Sequence, residues 1–274
     1  MKHNLKYSLP LAIIVTLVAI IYQRATGPTY PKKIIIKLAE TEVKVKFLRS
    51  QGGDINAPIE IPKLSPQMKG SLFYKRYPTN DQWTMVTLED KGNRLYAELP
   101  NQPPAGKLQY YLELSHDQEV FHVASQTQPI MIRYKGEVPT VILAPHIFFM
   151  FFSMLLSALA GFEAYQKTDS FRTVGFLALG CLFFGGMCLG PLVQKYAFGV
   201  YWAGFPYDWD LTDNKLLLSV LAWGGAMSLN IKKARALPII AASIILIIVY
   251  SIPHSMQGSE YDYKKGKVIT DREK

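Results

Sequence analysis

Two histidines and one tryptophan-bearing loop are the residues of this 274-residue chain whose types and spacing could do chemistry. His146 lies near the start of one long apolar run and His254 at the end of another. Between those runs lies Tyr201-Trp-Ala-Gly-Phe-Pro-Tyr-Asp-Trp-Asp210. Two neutral imidazoles from different helices can take the two axial positions of a haem iron, and aromatic rings above the site can cover the macrocycle. Trp202, Tyr207 and Trp209 are the candidate cover. The same rings suit an aromatic belt at a membrane surface equally well. His146 stands about one and a half turns from Val141, roughly 7–8 Å at 1.5 Å per residue. An ionisable group at that depth is a functional candidate by default; the plain alternative is an interfacial histidine bonded to a loop carbonyl.

Such a pair works only if the intervening elements bring it together. With 49% hydrophobic and 19% charged residues, the chain is too apolar for one soluble domain and too charged for a membrane bundle throughout. The averages hide two halves, one with alternating charged and apolar residues and one with long apolar runs. A net charge of +9 arrives without an Arg-rich helix or zinc-finger spacing, so membrane topology explains it more simply than nucleic acid does. Cys181 and Cys188 fall inside an apolar run, which predicts helix-packing thiols and no disulfide framework.

Met1 to Lys6 is basic and precedes an apolar run, Leu9 to Tyr22, with no small-x-small cleavage site after it. An uncleaved anchor is expected over residues 1–29, with the next segment outside the cytoplasm. Residues 30–138 read as all-β. Val43, Val45 and Phe47 alternate with lysines, and Leu108, Tyr110, Leu112 and Leu114 alternate with Gln109, Tyr111 and Glu113. Further strands are expected at Ile34–Leu38, Ser71–Arg76, Trp83–Leu88, Arg94–Leu99, Val120–Val123 and Ile130–Tyr134, divided by Gly and Pro turns. This fits an immunoglobulin- or fibronectin-type β-sandwich, which the stretch Asn93 to Tyr111 resembles where a strand ends at a Pro-rich turn. Trp83 is expected in its core, and His116 and His122 as ordinary strand or surface residues.

Residues 139–255 predict a four-helix transmembrane domain: Val141–Tyr165, Thr173–Val193, Leu216–Ser228 and Pro238–Ile252. Gly180, Gly185, Gly186 and Gly190 would permit close helix contact. Thr212 and Asp213 are the expected caps of the third helix. Asp208, Asp210 and Asp213 could bind calcium, but capping and loop solvation explain them better, because the spacing lacks the other ligands of a calcium loop. The loops Gln166–Arg172 and Asn230–Arg235 are basic and belong in the cytoplasm, as five crossings from an inside N-terminus also require. A polar tail, residues 256–274, would then lie outside, and the stretch Ser251 to Tyr263 could fold back over the same face.

The order of helix-borne His146, a glycine-rich helix, a loop ending in Trp209-Asp210, a helix, a basic loop, a helix and His254-Ser255 resembles the haem-handling, tryptophan-rich membrane proteins of cytochrome c assembly. Here the loop reads Tyr-Trp-Ala-Gly where that family has a tighter Trp-Gly-x-x-Trp-x-Trp-Asp pattern. The resemblance implies haem as cofactor, His146 and His254 as iron ligands, and Trp202, Trp209 and Asp210 beside the ring. The expectation is therefore a multi-domain inner-membrane protein: an extracytoplasmic all-β sandwich, an N-terminal anchor helix and four further helices, serving cytochrome c assembly or membrane electron transfer. The alternative is a non-enzymatic assembly protein whose β-sandwich binds an extracytoplasmic partner, with the lipid bilayer as its anchor. A transporter ranks third, because few polar residues lie near the midplane. No hydrolase or transferase motif is visible.

Overall fold

The computed structural model describes residues 5–38, 41–116, 119–253 and 259–269. Two compact units divide them: a β-rich unit of residues 29–137 with 259–269, and a helical unit of residues 5–28 with 138–253.

In the β-rich unit, β1 (Lys32–Leu38) and β2 (Thr41–Phe47) form an antiparallel hairpin. A six-stranded sheet runs β3 (Ser50–Gly52), β11 (Ile130–Lys135), β9 (Lys107–His116), β5 (Lys69–Tyr77), β6 (Thr84–Thr87), with β10 (Glu119–Val123) also paired to β9. A three-stranded sheet orders β4 (Ala57–Pro62), β8 (Arg94–Leu99) and β7 (Glu89–Asp90). Ile59 and Leu95 of the small sheet, Leu72 and Leu112 of the large one, and Val45 and Phe47 of the hairpin belong to one buried core. Strand β4 escapes a propensity reading because Pro58 and Pro62 look like breakers. Both point outward in its alternating buried–exposed pattern, and β4 is an edge strand, where a missing N–H is tolerated. Trp83 is a correction: it lies half-buried outside that core, edge-on to Tyr111 at 4.9 Å, while Phe73 stacks on the same ring at 4.8 Å.

The chain re-enters this unit at its far end. Strands β12 (Glu260–Asp262) and β13 (Lys267–Ile269) make a hairpin that a reading of residues 256–274 as a polar tail did not foresee. Arg133 Nη2 donates to the Ser259 carbonyl at 2.8 Å, and Tyr261 N to the Ala105 carbonyl at 3.2 Å. Lys107 pairs with Glu260 in a mostly buried salt bridge. The Tyr263 hydroxyl lies 2.9 Å from Gln102 Oε1 and 3.2 Å from the Lys107 carbonyl, with Arg76 over its ring.

Three helices in the other unit are long and apolar enough to cross a membrane: Lys6–Thr26, Thr140–Tyr165 and Phe171–Phe198. They are α1 (Leu5–Thr26), α2 (Thr140–Tyr165), and a continuous rod of α3 (Phe171–Leu182), a π-helical turn (Phe183–Leu189) and α4 (Gly190–Phe198). Two shorter helices follow, α5 (Leu211–Leu229) and α6 (Ala236–Ser251), about 28 and 24 Å long at 1.5 Å per residue. Rods that follow one another in the chain run in opposite directions. Gln166 Nε2 at the end of α2 reaches Ser8 Oγ at the start of α1. Ser243 Oγ donates to the Ser157 carbonyl, and Tyr250 Oη lies 3.3 Å from Ser153 Oγ, so α6 ascends as α2 descends. Gly175 meets Met227 and Gly186 meets Leu216, setting α5 against α3 and the π turn. One end of the unit therefore collects Thr26, His146, the loop after Phe198, the start of α5 and the end of α6. The other end collects Lys167, Arg172, Lys232, Lys233 and Arg235, and there Arg172 donates to the Ile231 carbonyl.

Removing the Tyr263 hydroxyl tests the tail hairpin. Burial is the main cause that pushes this hydroxyl up to about 12, so the folded state favours its neutral form. That contribution is complete below the ordinary value of 10.0 and is lost as pH climbs towards about 12. Tyr263→Phe gives up about 1 kcal/mol of hydrogen bonding and speeds amide exchange of residues 260–269 roughly fivefold at neutral pH. It also removes the part of the alkaline loosening that depends on this residue. Hydrogen exchange by mass spectrometry reads both effects.

Candidate functional site

The His146 end of the helical unit is built on the first turn of α5, Asp210-Leu-Thr-Asp-Asn-Lys215. Asp210 is the cap: its Oδ1 accepts from Thr212 N at 2.8 Å and from Asp213 N at 3.3 Å. This corrects the expectation that Thr212 or Asp213 caps the helix, and it moves the helix start back to Leu211. Asp213, inside the turn, faces back to the loop. Its Oδ2 accepts from Ala203 N at 2.6 Å and from Gln194 Nε2 on α4 at 3.2 Å. Asn214 Oδ1 takes Phe205 N at 2.7 Å. Lys215, only 6% exposed, donates to the Ile252 carbonyl at 2.7 Å and the Pro253 carbonyl at 3.4 Å.

The loop itself is polar within and aromatic without. Tyr207 N and Asp208 N both donate to the Gly204 carbonyl at 3.0 Å, and Asp210 N donates to the Ala203 carbonyl at 2.9 Å. A Cβ at Gly204 would stand 2.8 Å from Asp213 Cβ, so a side chain there would force the loop off its brace. Asp208, Asp210 and Asp213 are buried, whereas Tyr207 is 75% exposed, Trp209 53% and Phe205 52%. Trp202 is half-buried and its Nε1 donates to the Phe205 carbonyl at 3.1 Å. Among the described residues no three His, Cys, Asp or Glu side chains gather as a metal site. The three carboxylates each accept a backbone N–H group, but only Asp210 caps a helix, and all three are buried where loop solvation was expected.

His146, more than one and a half turns into α2, lies with Nδ1 2.8 Å from the Gly185 carbonyl in the π-helical turn. A carbonyl only accepts, so Nδ1 carries the hydrogen and the neutral ring keeps its lone pair on Nε2. A carbonyl that takes the Nδ1 hydrogen in this way orients an imidazole to bind a metal through Nε2. Glycine packing makes the contact possible. A Cβ at Gly185 would come 2.7 Å from Phe149 Cβ, and one at Gly186 2.3 Å from Leu216 Cδ1. Gly190 lies beside the imidazole, with His146 Cε1 3.8 Å from where its Cβ would be. Gly180, expected to share this role, has no such neighbour within 4 Å.

His254 and Ser255 lie outside the described residues, which stop at Pro253 before resuming at Ser259. The residue just before His254 is nonetheless fixed, because Lys215 holds its carbonyl at the same end of the helices as His146 and the loop. Gln194, Asn214 and Lys215 were not singled out by sequence. The signal for Asn214 and Lys215 was a run of six mostly polar residues opening an otherwise apolar helix; Gln194, on α4, had no such signal. Cys181 and Cys188 are free thiols within one helical rod. His116 lies 2.8 Å from Ser65 Oγ, and His122 lies 3.7 Å from Glu113 on paired strands, as structural residues do.

Asp213→Ala deletes the brace of the loop while leaving the Asp210 cap. Chymotryptic cleavage after Tyr207 or Trp209 should rise roughly tenfold, as loss of about 1.4 kcal/mol of hydrogen bonding requires. Asp210→Ala, which removes a helix cap worth about 1 kcal/mol, should give a smaller rise. Set against family models, curated proteins and solved structures, the chain matches none of them.

Proposed function

We propose that this chain is an integral membrane protein that binds haem at the His146 end of its helices, in the service of cytochrome c assembly or membrane electron transfer. The observation that carries the reading is the His146 imidazole, fixed through Nδ1 by the Gly185 carbonyl so that Nε2 is left as donor. His254 is the second ligand in this proposal, with Pro253 beside it held by Lys215. Trp202 and Trp209 would stand beside a bound ring, and Asp210 would act indirectly, by holding the start of α5. Haem supplies one-electron chemistry when bound. The residues of the chain hold and orient it, and the exposed aromatic face of the loop keeps water from one side.

The topology that goes with this reading has all five helical rods crossing an inner membrane, α5 and α6 included. The basic loops face the cytoplasm, and the β-rich unit, an immunoglobulin-type sandwich, lies outside. Residues 137 and 259 support it, because the chain leaves and rejoins one unit there and so makes an even number of crossings between them. The collection of Lys167, Arg172, Lys232, Lys233 and Arg235 at one end supports it too.

A second reading is an anchored assembly protein whose β-rich unit captures a partner. A cleft of about 440 Å³ in that unit, lined by Tyr74, Arg76, Thr84 and Gln102 among others, favours it. One experiment separates the two. Full-length protein purified in detergent from haem-replete cells should show a Soret band that His146→Ala or His254→Ala abolishes or shifts. A colourless protein with both histidines intact contradicts haem binding and leaves the second reading.

A further inference from the structure

The β1–β2 hairpin has an outward face whose side chains are exposed among the described residues. Register puts Ile34, Ile36, Val43, Val45 and Phe47 on its inner side, against the core. The outer side carries Lys33, Ile35, Lys37, Glu42, Lys44 and Lys46, all exposed, with Ile35 54% exposed. Lys37 is paired with Glu42. Lys33 stands directly opposite Lys46, and Ile35 directly opposite Lys44. Like charges facing each other across two strands destabilise the hairpin, so this face gains from a dense anionic surface that neutralises them. An isolated apolar side chain ringed by lysines is the pattern that sits at a headgroup boundary, charges on phosphates and the aliphatic group just below.

Position supports the same occupant. Five residues, 27–31, separate the end of α1 from the start of β1. Fully extended, they let Lys32 stand no more than about 20 Å from the end of that helix. A face so close to a membrane-crossing helix meets lipid headgroups at a high effective concentration.

We propose that the Lys33–Ile35–Lys44–Lys46 face docks on the anionic phospholipid headgroups of the bilayer that α1 crosses. This rests on α1 being a membrane helix and not on haem. The docking holds the hairpin, and with it the first strands of the β-rich unit, at the membrane surface.

The test uses the full chain in nanodiscs of phosphatidylcholine alone or with a quarter phosphatidylglycerol. Amine acetylation at Lys33, Lys44 and Lys46 is read by mass spectrometry, with exposed Lys69 and Lys135 as references. Docking predicts that labelling of the three falls roughly threefold in the anionic discs and recovers at about 0.5 M salt, while the references stay level. The variant K33E/K44E/K46E, which keeps the inward core residues, should lose the lipid-dependent protection of the Ile35 amide in hydrogen exchange. Equal labelling in both bilayers overturns the proposal. So does protection that salt does not reverse, or protection in neutral discs that appears only when RNA or an acidic protein is added. Failure to enter discs would overturn the membrane reading and the docking with it, whereas entry with equal labelling overturns the docking alone.

Discussion

The polar first turn of α5 is the constraint on which the candidate site depends. Within six residues Asp210 closes the helix, Asp213 holds the loop backbone and Gln194, Asn214 holds Phe205, and Lys215 holds the carbonyls that end α6. Each of these side chains satisfies a backbone group, and for one as buried as Ala203 N the loss of its partner costs about 1–3 kcal/mol. Where the side chain is charged, low-dielectric surroundings make the bond stronger still. One turn of helix thus ties together α4, the loop, α5 and α6. The tie explains how a loop with so many exposed rings keeps a defined shape: its polar groups are consumed inward, leaving the aromatic faces as its surface.

His146 is held by a different device. Its partner is a backbone carbonyl in a π-helical turn, brought near by two glycines against which Phe149 and Leu216 pack closely. A π turn commonly marks a place where a helix has given up regularity for a specific contact. Here the glycines bring that carbonyl within reach of an imidazole on α2, and the imidazole's other nitrogen is left as a donor for a ligand.

Much of this was legible in the sequence, and the parts that were not have physical reasons. Period-two alternation gave away β2 and β9, and basic clusters marked the loops that meet at one end. Strand β4 was hidden because an edge position neutralises the cost of Pro58 and Pro62. The start of α5 was misread because Thr212 and Asp213 are as good at capping as Asp210, and only the loop geometry decides among them. The tail hairpin was invisible: strands of three residues have too little periodicity to register, and its attachment runs through Arg133, Lys107 and Gln102, far away in sequence. The identity of His146 as a candidate was readable, but its orientation was not. The group that orients it is a peptide carbonyl, and residue type does not encode where a carbonyl points.

The central claim is that His146 and His254 share one iron at the end of the helices gathered by α5. Electron paramagnetic resonance of the oxidised, purified protein reads whether that iron has strong-field ligands on both faces, and the histidine variants identify them. The account predicts the low-spin ferric signal of a haem with two axial nitrogens, converting to a high-spin signal when either histidine becomes alanine. A high-spin signal in the unaltered protein, or no iron signal at all, would contradict it.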